Sequence, residues 1–373
     1  MERKLIQPYP NHQCPRPVSE ADKIVSPVPV FYIRYRYSHH AFVSGYDRLC
    51  DYVGETIRLS KINYWMGETV LRLPALLAAK RGGHFEYSRY DYVMEREAIR
   101  HFLAHYNSIY HFVYGEKSFK RMARFAGRNG NRIVCTVHHP ASHHPWLFKK
   151  GMDHFRKADL ITVVSRDMVA PWKSIVGDDK VAWIPYAVDA GYFKPVESEN
   201  PDRPPRCVFI GHHERDFETL PQVVEGILSQ HPSVEFIMIS KDPRCEPIAR
   251  RNSRAQWHPR MSDPDYLAAL QHADLLVLPL KCSTTNTAVL EAMACGLPVI
   301  TNTGGIEDYL DREGSLLFPV GTTDAMSEAA VRLLRDPELK NRMSAAARRR
   351  ALTFSWTSIA QQMVGLYKQL AAG

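Results

Sequence analysis

Glu291 is the one charged residue between Cys282 and Ile306, in a segment that reads CSTTNTAVLEAMACGLPVITNTGGI. Ser283, Thr284, Thr285, Asn286 and Thr287 supply the side-chain oxygens that favour a helix N-cap. Ala288 to Cys295 is a run of helix formers, ended by Gly296 and Pro298. A carboxylate on so apolar a helix is costly unless a partner satisfies it. A vicinal diol would do so by donating two hydrogen bonds. The helix start lies roughly six residues upstream, about 9 Å along the axis. Such a terminus suits a phosphate. A ribose-to-diphosphate span is of that order, so the spacing fits a nucleotide-sugar site.

Two other clusters could carry chemistry. His138-His139 and His143-His144 invite a metal reading. No Cys or acid nearby completes four ligands, and Asp153 lies further along, so no metal is assigned. Lys117, Lys120, Arg121, Arg124 and Arg128 recur at three-to-four spacing on an expected helix from Gly115 to Arg128. With Trp146-Leu147-Phe148-Lys149-Lys150 they could rest on an anionic membrane. A solvated basic face is the alternative.

These residues need a scaffold. Cys207 to Gly211, Val234 to Ile239, Asp274 to Leu280 and Val299-Ile300 read as buried strands. Helices at about Thr219 to Leu228, Asp265 to His272 and Asp324 to Arg335 lie between or after them. Such alternation implies a parallel, doubly wound sheet. Ligands bind at the carboxyl ends of those strands, where the loop from Lys281 to Thr287 falls. The first half alternates less cleanly. Strands are expected at Pro29 to Ile33, Ile109 to Phe112 and Ile133 to Val137, and the stretches Arg48 to Ser60 and Val70 to Lys80 alternate with poorly defined pieces. The polar, proline-rich stretch KPVESENPDRPPR, from Lys194 to Arg206, reads as a linker.

Composition bounds the answer. The 373 residues suggest two domains, and a 45% hydrophobic fraction permits two cores. No apolar run approaches the roughly 18 residues that span a bilayer. The N-terminus has no stretch fit for a signal peptide. Seven scattered cysteines without a CxxC pair favour reduced thiols and a cytoplasmic setting. The formal charge of +8 is uneven: residues 1–200 hold 29 Lys and Arg against 20 Asp and Glu. A basic half can meet nucleic acid, anionic lipid or an acidic substrate. No zinc-finger or RNP-like motif supports nucleic acid.

LEAMACGLPVITNTGGIEDYL resembles the donor-site signature of family-4-type retaining glycosyltransferases of the GT-B fold. Weaker similarities follow in the family's order. They are Arg132 to His139, a strand ending in a pocket histidine; Ala158 to Ser165; Ile184 to Asp189 with Phe193-Lys194-Pro195; and Ser355-Trp356 with the helix through Tyr367. The resemblance implies an α/β chain of two Rossmann-like doubly wound domains facing a cleft. Residues 1–196 would bind the acceptor and 197–352 the nucleotide sugar, with a crossover helix at 353–373.

It also implies roles. Glu291 would hold the ribose, while Thr285, Asn286 and Thr287 hold the diphosphate beside Ser283 and Thr284. His138 matches the pocket histidine; a hydrogen-bonded strand-end histidine is the plainer account. The family's arginine after the first strand of the second domain has no direct match, because Gly211 is followed by His212, His213 and Glu214. Arg215 is the best diphosphate ligand, since a guanidinium fork suits phosphate oxygens; Lys281 comes second and Lys241 third. Ser283 replaces a family glutamate that contacts the transferred sugar, which leaves the sugar open. Ser44, Gly45 and Tyr46, with Arg34, occupy the position of the family's acceptor and phosphate loop.

The expected reaction is retaining transfer from a nucleotide diphosphate sugar, UDP ahead of GDP, to an acceptor hydroxyl. It would proceed by front-face attack without metal or cofactor. Expected partners are the nucleotide sugar and a glycan, lipid-linked glycan or small-metabolite acceptor, without nucleic acid. Peripheral contact at the inner face of the membrane would go through the basic first domain. The rivals are a nucleotide-sugar epimerase on the same architecture and a non-catalytic nucleotide-sugar binding module.

Overall fold

The structure is a computed structural model. It describes residues 18–19, 22–33, 43–57, 65, 69–82, 87–196 and 203–373, and the side chains of these apart from 79–82. Arg34, named above, lies outside the described residues. The chain forms two compact units: residues 1–186 with 356–373, and residues 187–355.

Unit 1 is built on a parallel sheet of β1 (Val30–Ile33), β2 (Glu55–Ile57), β3 (Ile109–Phe112), β4 (Arg132–Val137), β5 (Leu160–Val163) and β6 (Val181–Trp183). Its order is β2-β1-β3-β4-β5-β6. The central strands are buried along most of their length because helices cover both faces, and β3 and β5 are buried throughout. Its principal helices are α1 (Arg72–Gly82), α2 (Arg89–Ala104) and α3 (Val169–Val176). A capping box fixes the start of α2: Ser88 Oγ accepts from the Asp91 N–H while Asp91 accepts from the Ser88 N–H.

Unit 2 carries β7 (Arg206–Ile210), β8 (Glu235–Ile239), β9 (Ala255–His258), β10 (Leu275–Leu278), β11 (Val299–Asn302) and β12 (Ser315–Phe318). The order is β12-β11-β10-β7-β8-β9, parallel at each pairing. The strand order therefore reverses between β7 and β10. That crevice is where doubly wound sheets bind ligands. Around it lie α4 (Leu220–Gln230), α5 (Asp263–Gln271), α6 (Thr287–Ala294), α7 (Thr323–Arg335) and α8 (Pro337–Leu352). Asp274, at the mouth of β10, ties three segments together. It accepts from Arg203 Nη1 at 2.7 Å, Lys340 Nζ at 2.5 Å and the Arg206 N–H at 2.8 Å.

The last helix, α9 (Trp356–Ala372), belongs to unit 1. Tyr367 on it is fully buried. Its hydroxyl meets Tyr32 Oη at 3.0 Å and His111 Nδ1 at 2.6 Å. His111 Nε2 continues to Thr136 Oγ1, and that hydroxyl to Thr162 Oγ1, each at 2.6 Å. A chain of hydrogen bonds thus crosses the sheet and fastens α9 to it.

Two expectations differ from what is found. The helix expected from Gly115 to Arg128 stops at Ser118, and Met122–Phe125 is only a 3-10 turn. The cause is Glu95, fully buried on α2. Its Oε1 accepts the backbone N–H groups of Lys120, Arg121 and Met122. A continuous helix would give those donors to carbonyls four residues back. The five cations therefore share no helical face. The second difference is the division at Tyr186, ahead of the expected residue 196. Arg348 of α8 holds the carbonyls of Phe193 at 2.8 Å and Ala190 at 2.9 Å, so this stretch travels with unit 2.

Candidate donor-nucleotide site

α6 begins at Thr287 behind Asn286, whose side chain makes no cap bond to the helix. The Asn286 side chain is thus not spent on capping. Ser283 Oγ turns back to the Thr285 carbonyl at 3.0 Å. Thr285 Oγ1 and Asn286 Nδ2 are buried without a hydrogen-bond partner. An orphaned buried polar atom costs about 1–3 kcal/mol, so two at one helix start mark a place built for a ligand. Unused first-turn amides and the helix dipole add a preference for an anion.

Arg215 borders the same spot. It follows β7, and its Nη2 donates to Asn286 Oδ1 at 3.2 Å. Its Nε and Nη1 donate to the carbonyls of Ile210 and His213, both at 2.8 Å. Three directed bonds fix the guanidinium plane. Burial brings its pKa down from 12.5 to about 10, which leaves it cationic at neutral pH. Gly211 makes room for it. A Cβ there would lie 2.5 Å from Arg215 Nη2, and φ is +90°. The interruption by His212, His213 and Glu214 is absorbed in a tight turn, with Glu214 at φ 56°. Arg215 and Leu280 then form an isolated bridge that joins the ends of β7 and β10.

Glu291 sits one turn into α6 and is 5% exposed. Tyr266 Oη of α5 donates to its Oε2 at 2.6 Å. Burial first, then the charge of Glu291, lifts the Tyr266 hydroxyl well above its usual pKa; it remains a donor throughout the physiological range. Glu291 and the α6 start stand about 6 Å apart along the axis. The sequence pointed to the acid but not to Tyr266, which lies 25 positions away on another helix.

The other named residues stand differently. Lys281 is exposed, and its Nζ pairs with Glu218 Oε1 at 3.1 Å. Ser283 N–H donates to the Gly304 carbonyl at 2.8 Å, which joins the Lys281 to Thr287 loop to the turn after β11. Burial and the neighbouring Glu214 carboxylate push the Cys282 thiol up to about 11, and its Sγ–H donates to Glu214 at 3.2 Å.

In unit 1, His138 ends β4. Its Nε2–H donates to the Val113 carbonyl at 2.8 Å, and its backbone N–H to Glu116 Oε1 at 2.7 Å. The ring packs against Tyr114 and Tyr46, with centroids at 4.9 Å and 5.1 Å. Burial lowers its pKa, and the Glu116 charge offsets part of that. Glu116, 2% exposed, is a residue the sequence alone did not single out. Gly45 takes φ 111° and opens a short turn through Tyr46, which is fully buried. Among the described residues, no group of three or more His, Cys, Asp or Glu is placed to hold a metal ion.

Comparison with known proteins finds similarity in the second unit and in the fold. Residues 204–336 match the family described as glycosyl transferases group 1. The chain is 30% identical over 278 residues to the MMP alpha-(1->4)-mannosyltransferase of Mycolicibacterium hassiacum, covering 65% of this chain and 66% of that one. It is 30% identical over 116 residues to the D-inositol 3-phosphate glycosyltransferase of Saccharomonospora viridis, covering 31% and 27%. The chain thus spans about a quarter of the length of that relative. Sucrose-phosphate synthase from Thermosynechococcus elongatus shares the fold, with a TM-score of 0.68 at 19% identity over 92% of this chain and 99% of that one. The two parallel six-stranded sheets follow the GT-B pattern of the solved structures, and residues 204–336 carry the match to the group 1 glycosyl transferases.

Proposed function

We propose that the protein is a retaining glycosyltransferase that takes its sugar from a nucleoside diphosphate donor bound in unit 2. The observation that carries this reading is one helix, α6. It bears a buried carboxylate at Glu291 and, one turn upstream, the unpartnered donor Asn286 Nδ2 beside the Arg215 guanidinium. A ribose diol on Glu291 would bring the diphosphate to that terminus.

The chemistry assigned to these residues is electrostatic. The acceptor hydroxyl attacks the anomeric carbon on the leaving-group side. A bond forms between that oxygen and the carbon while the bond to the phosphate oxygen breaks. The hydroxyl proton passes to the departing phosphate. Arg215 and the α6 amides stabilise the charge that develops there. Lys281 is given a secondary role, because its Nζ must first leave Glu218. No protein nucleophile is invoked.

UDP is the nucleotide placed first. GDP is the second reading, and the mannosyltransferase relative is the observation that favours it. A thermal-shift panel of UDP, GDP, ADP and TDP separates them. A ligand at 100 times its Kd stabilises by about 2.7 kcal/mol, a Tm rise of about 5 °C or more for units of this size. Glu291→Ala is expected to abolish the rise, while its unliganded Tm falls only by the cost of orphaning the Tyr266 hydroxyl, about 1–3 kcal/mol. Equal shifts in mutant and parent would refute the assignment. Nucleoside diphosphate release with the sugar donor then marks a transferase. Isomerised sugar without release would mark an epimerase, and binding without turnover a module.

A further inference from the structure

Among the described residues, α1 and the turn before it expose four large apolar side chains. Val70 and Leu73 are each 66% exposed, Leu76 41% and Leu77 42%. Leu73, Leu76 and Leu77 fall at three-and-four spacing on one side of α1, and Val70 stands in the turn just before the helix. Isolated exposed leucines are ordinary, whereas four within eight residues form a patch that calls for a partner. A groove of about 620 Å³ runs beside this patch in unit 1. Leu77 and Pro74 line one part of it, and Lys120, Arg121, Arg124 and Lys150 another. Its described lining holds four cations and no carboxylate.

The cations are held in place by the same feature that ended the expected helix. Glu95 points inward, its Oε1 on the amides of residues 120–122 and its Oε2 accepting from Tyr87 Oη at 2.7 Å. This buried acid shapes the 120–122 loop from beneath rather than neutralising the groove from within. The Arg121 guanidinium lies over the Tyr92 ring, 4.7 Å from its centroid, while Arg124 and Lys150 remain exposed.

We propose that the apolar side of α1 and the adjoining cationic groove form a docking surface for an anionic lipid membrane. A soluble anion would use the cations and leave the leucines wet. A bilayer surface offers phosphate and hydrocarbon together, at neighbouring depths. Among the described residues no helix is long and apolar enough to cross a membrane, so the contact would be interfacial. The inference concerns unit 1 alone and does not depend on the donor assignment in unit 2.

The test is co-sedimentation of the full chain with phosphatidylcholine vesicles, with and without phosphatidylglycerol. Binding is expected only with phosphatidylglycerol and should weaken as salt rises. Arg124→Glu should weaken it about fivefold or more, and Leu73→Glu about tenfold or more. Arg312→Glu, an exposed charge of unit 2, should leave it unchanged. Both unit 1 substitutions are at exposed positions, and the unliganded melting curve of each variant reports that it is folded. Absence of binding to phosphatidylglycerol vesicles would overturn the proposal, as would equal binding to neutral vesicles or parent-like binding by Leu73→Glu. Displacement from vesicles by soluble glycerol phosphate at matched phosphate concentration would reassign the groove to a small anion, and would also overturn it.

Discussion

Gly211→Ala adds a single methyl group and should disable the diphosphate end of the site. The new Cβ would lie 2.5 Å from Arg215 Nη2, 3.0 Å from Cζ and 3.2 Å from Nε. The guanidinium cannot yield slightly, because all three nitrogens are engaged with Ile210, His213 and Asn286. It must leave, giving up bonds worth about 1 kcal/mol each. The backbone adds about 1–2 kcal/mol, since φ of +90° suits glycine alone. A loss near 4–5 kcal/mol would lower Tm by about 8–20 °C for units of this size. Losing a preorganised donor from a developing oxyanion costs about 10²–10³ in kcat. The assay is nucleoside diphosphate release under saturating donor, run well below the variant's Tm. Arg215→Met serves as the companion, free of backbone strain. If both variants keep kcat within about twofold of the parent, Arg215 does not meet the leaving group and the reasoning fails.

Other outcomes follow from the same geometry. Tyr266→Phe removes a donor from buried Glu291; Tm should fall by an amount equivalent to about 1–2 kcal/mol, and a melting curve like the parent's would contradict the pairing. Asp274→Asn strips the charge shared by Arg203 and Lys340 and should cost about 2–4 kcal/mol in urea unfolding. His111, buried within the hydrogen-bond chain to Tyr367, is lowered by burial from 6.5 to about 3. The unfolded chain therefore binds a proton that the folded chain refuses between those values. This contribution is fully present above pH 6.5 and is lost as pH falls toward 3, by up to about 1.4 kcal/mol per pH unit. Unfolding free energy measured from pH 7 to 4 should show that slope, and His111→Gln should flatten it. An unchanged slope would mean that another group sets the acid limit.

The legibility of this chain was uneven for physical reasons. The donor segment could be read because a lone acid in an apolar helix, with Gly296 and Pro298 after it, is too costly to stand there without a partner. The α/β alternation of unit 2 was visible in strands such as β10, all four residues of which are buried. The short edge strands β9 and β12 went unread, since four residues with partly exposed ends give little pattern. α2 went unread as well, although Ser88 and Asp91 carry a capping-box spacing. The expected basic helix failed because charge periodicity is blind to a buried acid elsewhere. Glu95 captured the amides that the helix needed. Likewise, proline and polarity marked Lys194 to Arg206 as a linker, while the hold of Arg348 on the preceding segment depends on α8, more than 150 residues downstream. Tyr266 and Glu116 were hidden for the same reason: each matters through a partner that only folding brings near.

A crystal structure of the chain soaked with its best-binding nucleoside diphosphate is the decisive measurement. It should show both ribose hydroxyls within about 3.2 Å of the Glu291 carboxylate, with phosphate oxygens on Arg215 and the first amides of α6. Nucleotide density in unit 1, or a phosphate group that leaves Asn286 and Arg215 untouched, would contradict the account.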